Sequence, residues 1–287
     1  MVKEFSPIIL FTYNRLSHTQ KTVLSILKNL EAQNSDLYIF SDGPKNSKDY
    51  KIVQNVRNYL KSITGFNKIK IIERNENWGL ANSIISGVSE ILKLSNTVIV
   101  LEDDMLVSPY FLKFMNDALS FYKDEDSVVS IHGYIYPVRG ELPETFFIRG
   151  ADCWGWATWR RGWKIFNPNS KQLFTQLQLN KTSIKQFNFN NSYNYLGMLK
   201  DQIDRKIDSW AINWYASAFI ENKLTLYPGR SLIKNIGLDS DGTHCNETLQ
   251  FDVLLNKEAI SINKIKIKES FLAKRKIIKY FNMISKK

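Results

Sequence analysis

Three observations predict an α/β fold with a mostly parallel sheet flanked by helices. Short apolar, β-rich runs alternate with segments of helical period over residues 7–102. Several of these runs are apolar throughout, as strands buried on both faces are. Each is followed at once by a polar cluster, at the carboxyl strand ends where open sheets bind their ligands.

Residues 7–13 (PIILFTY) read as the first strand. Helical spacing follows over 17–30 through Val23, Ile26, Leu27 and Leu30, with Ser17 as N-cap. Residues 36–41 (DLYIFS) form the second strand and end at Asp42-Gly43-Pro44, a turn signal. A helix over 48–62 puts Ile52, Val56, Tyr59 and Leu60 on one side. Residues 68–73 (KIKIIE) are a third strand, 80–94 a helix and 97–102 (TVIVLE) a fourth strand. Asn14-Arg15, Asp42-Gly43, Arg74-Asn75 and Glu102-Asp103-Asp104 directly follow the four strands, so the fold predicts that they meet on one edge of one sheet.

The second half is less regular. Helices are expected over 193–205 and 209–222, a short strand over 224–227 and a polar loop over Gly237–Thr248. Six tryptophans (154, 156, 159, 163, 210 and 214) lie in this half. With no internal repeat or low-complexity linker, residues 1–255 are expected to form one unit, followed by a basic extension over 256–287.

A content of 44% hydrophobic and 23% charged residues in 287 excludes a disordered or fibrous chain. Cys153 and Cys245 are too few for a disulfide framework or a four-cysteine zinc site and are expected as free thiols. His18 and His132 join no cluster. No run approaches the ~18 apolar residues of a membrane span, and no cleavage site follows the N-terminal apolar run. The chain is therefore expected to be soluble or peripheral. Of the net charge of +11, residues 256–287 carry +8. At about 100° per residue, Phe271, Ala273, Ile277, Ile278, Tyr280, Phe281 and Ile284 share one side of a helix over 268–287. Arg275, Lys276, Lys279, Lys286 and Lys287 take the other, with Lys274 the exception. Such a helix either lies in an anionic membrane interface or docks on its own domain.

The acidic run carries the chemistry. Three adjacent carboxylates at a buried strand end repel one another unless a cation is present. Oxygen ligands alone favour a hard ion, Mg²⁺ or Mn²⁺. The alternative is a solvated acidic turn leading to the helix after Pro109.

Val100-Leu101-Glu102-Asp103-Asp104-Met105-Leu106-Val107-Ser108-Pro109-Tyr110-Phe111 resembles the acidic metal motif and following helix of GT-A-fold glycosyltransferases, above all N-acetylglucosaminyltransferase I and bacterial family 2-like sugar transferases. Ile9-Leu10-Phe11-Thr12-Tyr13-Asn14-Arg15 resembles the first strand of those enzymes, Ser41-Asp42-Gly43 their nucleobase turn, and Asn77-Trp78-Gly79-Leu80-Ala81 the segment before a core helix. The likeness is good over residues 7–120 and loose beyond.

The resemblance implies a Rossmann-like sheet with a donor-binding half over 1–132 and an acceptor-side half over 133–255. It implies Asp104 as metal ligand, and Glu102 and Asp103 on ribose and sugar hydroxyls. Arg15 would meet the diphosphate, where a guanidinium fork fits, Asp42 the uracil, and Asn14 and Trp78 the donor. An inverting transfer also needs a carboxylate base opposite the leaving group. Asp208, at the start of an apolar helix, is the candidate and Asp152 its rival. The alternative for Asp208 is a plain N-cap. Trp154 and Trp156 are candidates for a sugar shelf, the alternative being core. Leu238–Cys245 is expected to close over the donor, with His244 a possible extra metal ligand.

The implied partners are a nucleotide sugar, UDP-linked as first choice, and a glycan or lipid-linked acceptor in bacterial surface polysaccharide assembly. The implied place is cytoplasmic, peripheral on the inner membrane face through 268–287. A sugar nucleotidyltransferase would bring a Gly-rich loop after the first strand, where Thr12–Leu16 has no Gly. A non-catalytic protein binding an anionic polymer through the tail is the other alternative. No nucleic-acid motif is present, and no nucleic-acid partner is expected.

Overall fold

The computed structural model describes residues 5–179, 181–238 and 249–285. In the first half the elements follow the apolar pattern closely. They are β1 (Ile8–Thr12), α1 (Leu16–Ile26), β2 (Asp36–Ser41), α2 (Ser47–Leu60), β3 (Lys68–Glu73), α3 (Leu80–Leu94) and β4 (Thr97–Glu102). β1–β2, β2–β3 and β1–β4 pair in parallel, so all four carboxyl ends lie on one edge, as expected. β1 is buried on both faces: Ile9 and Phe11 enter the core on one side, Ile8 and Leu10 the core on the other. β3 ends the sheet, and its exposed Lys68, Lys70 and Glu73 put charge on that edge.

Then follow β5 (Met105–Val107), α4 (Phe111–Phe121), β6 (Val128–His132), β7 (Thr145–Ile148), β8 (Trp156–Trp159), α5 (Arg160–Trp163), α6 (Ser170–Gln178), α7 (Lys181–Phe187), α8 (Tyr195–Ile203), α9 (Trp210–Ile220), β9 (Leu224–Pro228), β10 (Ile233–Asn235) and α10 (Phe271–Ile284). The sheet runs β3-β2-β1-β4-β8-β6-β9-β7, and β10 pairs with β5 separately. β8 is antiparallel to both β4 and β6. β6 therefore runs in the same sense as β4, and its carboxyl end at His132 falls on the same edge as Glu102.

Two helix readings are corrected. α1 ends at Ile26, leaving Leu30 83% exposed. Its N-cap position is Arg15, with no capping side-chain bond, instead of Ser17. On α2 the inward face is Val53, Val56, Arg57 and Leu60, while Ile52 is exposed. The helix turns this way because Arg57 is drawn inward. Its guanidinium donates to the carbonyls of Arg74 (2.6 Å) and Asp42 (3.3 Å), clasping the ends of β2 and β3.

α10 docks on its own domain. Ser270 caps it by accepting from the Ala273 amide (3.3 Å), and Ala273, Ile277, Tyr280 and Phe281 are buried. The exception of the helical wheel has a reason: Lys274 reaches back to Glu269 at 2.7 Å. Glu269 and Ser270 are themselves tied to the outer strand β7, through the Phe147–Glu269 bridge and the Ser270 amide donating to the Phe147 carbonyl. Phe271, Leu272 and Met283 stay exposed. Among the described residues no helix is long and apolar enough to cross a membrane.

Candidate active site

The strand ends bring the first polar clusters together. Arg15 Nη2 donates to Asp104 Oδ2 at 3.0 Å and lies 4.0 Å from Asp103 Oδ1. The Tyr13 amide points at Asp103 Oδ2 at 3.4 Å. Asp103 is further fixed through its backbone, whose carbonyl accepts from Thr22 Oγ1 at 2.8 Å. Asn14 is half-buried alongside.

Burial pushes the Glu102, Asp103 and Asp104 carboxyls upward, and repulsion from neighbouring carboxylates raises Glu102 and Asp103 further. Arg15 pulls all three back. One guanidinium therefore serves three crowded acids. Asp104 Oδ1 is buried and has no hydrogen-bond partner among the described residues.

Gly237 closes the top of this cluster. A Cβ there would lie 2.0 Å from Asp104 Oδ2 and 2.8 Å from Arg15 Nη1, so any larger residue would have to push the Asp104–Arg15 pair aside. The approach is held by the Ile236 amide donating to the Asp104 carbonyl (2.8 Å) and by His18 Nε2, 3.2 Å from the Ile236 carbonyl. Neither Gly237 nor His18 was singled out as a site residue from the sequence. The fold alone brings residue 237 against residue 104, through the β5–β10 pair.

These features fit a hard cation. The donors are all oxygen, one carboxylate oxygen is unpartnered, and excess negative charge is buried. No group of three or more His, Cys, Asp or Glu arranged to hold a metal is found among the described residues. His244 lies outside the described residues, as do Cys245 and the rest of the loop from 239 to 248.

The second cluster is a loop clamp. Asp42 Oδ1 accepts from the Gly43 (3.0 Å) and Trp78 (2.9 Å) amides, and Oδ2 from the Gly79 amide (3.0 Å). Asp42 thus holds the Trp78–Gly79 loop, and Gly79 at φ +74° gives the chain its turn into α3. Trp78 is 45% exposed, and the Arg74 guanidinium lies 4.0 Å from its ring centroid. Arg74 is anchored from behind by Ser83 and by Ser86 at 2.8 Å. The indole is thus backed by a fixed cation while nearly half of the side chain stays exposed. Arg74 and Arg57 were not legible as clamps, because their partners are backbone carbonyls and serines with no sequence signature.

Asp208 is exposed, and a Cβ on Gly79 would lie 3.8 Å from its Oδ2. Asp208 is thus beside the Trp78–Gly79 loop. The N-cap of α9 is Ser209, which accepts from the Ile212 amide, so the carboxylate of Asp208 is not engaged in capping.

Asp152 is buried differently. Its oxygens accept from Tyr136 Oη (3.0 Å) and Tyr227 Oη (2.7 Å). Burial raises its pKa and the two tyrosines lower it. Trp154 lines a cavity beside it. Trp156 is corrected: it is 1% exposed and packed among Trp163, Trp210 and Trp214, with no face for a sugar. It sits in the middle of the sheet, on β8 between β4 and β6. Cys153 is a free thiol, pushed up by burial.

The family described as Glycosyl transferase family 2 matches residues 8–188, more than half of the chain. No curated protein matches. Among solved structures, S. aureus TarS is similar at 13% identity and a TM-score of 0.44, over 80% of this chain and 36% of TarS. The mannosyltransferase PcManGT from Pyrobaculum calidifontis, in complex with GDP-Man and Mn²⁺, is similar at 10% identity and 0.41, over 75% and 69%. UDP-glucose pyrophosphorylase complexed with UDP-glucose is similar at 12% identity and 0.37, over 79% and 91%. This chain spans about a third of the length of TarS.

Proposed function

The chain belongs to glycosyl transferase family 2, and from that membership we propose a metal-assisted, inverting transfer of a hexosyl or N-acetylhexosaminyl group from a nucleotide sugar, UDP-linked as first choice, to a hydroxyl of a glycan or lipid-linked acceptor. The observation that carries the reading is Asp104, held by Arg15 through one oxygen while the other stays buried and unpartnered.

Mn²⁺ or Mg²⁺, when bound at Asp104, would supply Lewis-acid neutralisation of the leaving diphosphate. The chain's own groups account for the rest. Arg15, already at the cluster, is placed to pair with a phosphate oxygen, where a guanidinium binds bidentately. Glu102 and Asp103 accept from ribose and sugar hydroxyls. The Asp42-held loop offers Trp78 to the nucleobase. Asp208, as base, takes the proton of the acceptor hydroxyl as its oxygen bonds to the anomeric carbon and the bond to the diphosphate breaks. Asp152 is the weaker base, since both its oxygens are already bonded by tyrosines.

The setting we propose is surface polysaccharide assembly on the cytoplasmic face of a bacterial plasma membrane. Exposed Phe271, Leu272 and Met283 of α10, in an extension of net charge +8, support contact with anionic lipid. Calorimetry with UDP-, GDP- and dTDP-sugars, with and without Mn²⁺, on wild type and Asp104→Ala, tests the donor site. Metal-dependent binding of one sugar nucleotide, lost in the variant, is expected. No binding of any of them to folded protein with metal present overturns the reading.

A further inference from the structure

A second recess opens on the same sheet edge, beyond the carboxylates. It is a cavity of about 330 Å³, at the small end of the ~300–1,000 Å³ range of ligand pockets. β8 brings it next to the acidic cluster. Val100 pairs with Trp156 at the end of the β4–β8 register, and the two chains lead from that pair to Glu102 on one side and to Trp154, past Gly155, on the other. Glu102 and Asp104 are close enough to help raise the Cys153 thiol.

The walls are mostly aromatic. Trp154 stands edge-on to Tyr134 (4.8 Å) and Phe251 (5.9 Å), and Phe281 of α10 closes one side. Set into these walls is His132, at the carboxyl end of β6. It is 1% exposed, and neither ring nitrogen makes a hydrogen bond of good geometry among the described residues, although the backbones of Tyr134 and Trp154 lie close enough to act weakly on the ring. Burial pushes its pKa down to about 3, so the ring is neutral and has one N–H to give and one lone pair to accept. Leaving such a group poorly matched is costly, and an alkyl or isoprenyl occupant would leave it so. A sugar ring would meet the flat aromatic faces with its C–H surface and the imidazole with a hydroxyl.

We propose that this cavity seats the terminal sugar ring of the acceptor, with His132 hydrogen-bonding one of its hydroxyls; the assignment to the acceptor rests on the glycosyltransferase reading. The donor's elements, Arg15, Asp42, Trp78 and Asp104, belong to the β1–β4 side. The cavity belongs to the β6–β8 side, across the carboxylates from them. His132 acts here as a binding residue, and the Asp152–tyrosine pair keeps the wall in shape.

The test is saturation-transfer NMR on the full chain with the methyl glycosides of glucose, galactose, mannose and N-acetylglucosamine, with and without UDP and Mn²⁺. At least one glycoside is expected to receive saturation, and His132→Phe to weaken it by roughly tenfold or more. In the same variant, UDP binding by calorimetry is expected to stay unchanged and Tm to hold. Should His132→Phe not fold, Ala211→Leu, which fills the cavity from α9, is expected to abolish the glycoside signal instead. Equal saturation in wild type and the folded variant overturns the proposal. So does the absence of any glycoside signal, or geraniol binding in place of the glycosides. Loss of UDP binding to wild type would strike the donor reading alone, because the glycoside experiment without UDP still decides the cavity.

Discussion

Arg15 and Asp104 meet at 3.0 Å at the carboxyl ends of two neighbouring parallel strands. In the ligand-free chain the guanidinium offsets charge that three buried carboxyls would otherwise leave uncompensated. On the proposed reading the same guanidinium meets the donor diphosphate, and the pair would couple cation and donor binding, since each arriving charge would rearrange the other. Arg15→Ala is expected to weaken UDP-sugar binding by about 1.5–3 kcal/mol, or roughly 10- to 150-fold. Arg15→Lys should recover only part of this, because an ammonium lacks the planar fork. Calorimetry at saturating Mn²⁺ measures both, and full recovery by lysine would show that the site needs only a point charge.

Trp78 predicts a different signature. Removing an aromatic stacking surface costs about 1–3 kcal/mol per base. Trp78→Ala should weaken UDP, UMP and uridine by a similar factor, with or without metal, while Asp104→Ala should act on the diphosphate and spare uridine. Titration of the three nucleotides against both variants separates base recognition from diphosphate recognition. Equal losses for all three in Asp104→Ala would show that the two clusters do not act separately.

His132 gives a pH prediction. Its folded pKa of about 3 lies below the unfolded ~6.5, so below ~6.5 the unfolded chain binds a proton that the folded chain refuses. Its contribution to stability is thus fully present above ~6.5 and is lost as the pH falls toward the folded value. Thermal unfolding of wild type should worsen from pH 7 to pH 4 more steeply than that of His132→Phe. The difference in slope should approach one proton taken up on unfolding. Parallel slopes would mean that His132 is more hydrated than its burial indicates.

Much of this was legible in the sequence, for a physical reason. Strands β1 and β4 are apolar almost throughout, β2 largely so, and β3 alternates at the sheet edge; all four stop at polar residues, so their ends and shared edge could be read directly. Glu102-Asp103-Asp104 and Arg15 follow from that edge alone. The second half hid its strands. β6, β7 and β8 are only four or five residues long, and Trp156 looks like a binding residue until the order of the sheet buries it. His132 stands at a strand end by the same rule as Arg15 and was missed because β6 was missed. Gly237, Arg57 and Arg74 act through backbone atoms far away in the chain, which no spacing encodes.

Docking of α10 changes what a membrane experiment should remove. Deleting 268–287 would uncover the core residues that Ala273, Ile277 and Phe281 cover, so loss of membrane binding there would be confounded with unfolding. Reversing only the outward charges avoids this. Arg275→Glu with Lys279→Glu is expected to lower the affinity for vesicles containing phosphatidylserine by about 1 kcal/mol or more per site and to leave Tm unchanged. Unchanged cosedimentation would remove the membrane from the proposed setting.

The base is the most discriminating case, because the two candidates differ in what already occupies them. Asp208 is exposed beside Gly79, with the α9 cap taken by Ser209. Its loss should therefore cost chemistry and little else. Asp208→Asn is expected to lower kcat by about 10²- to 10⁴-fold, as removal of a general base does, with nucleotide affinity and Tm near wild type. Asp152 accepts from Tyr136 and Tyr227. Asp152→Asn should disturb that network, lowering Tm and raising the acceptor KM more than it lowers kcat. Steady-state kinetics on both variants, with Tm alongside, distinguishes the roles. A kcat collapse confined to Asp152→Asn with unchanged Tm would transfer the base to the cavity, beside His132, and make the recess between β6 and β8 the place where the acceptor hydroxyl loses its proton.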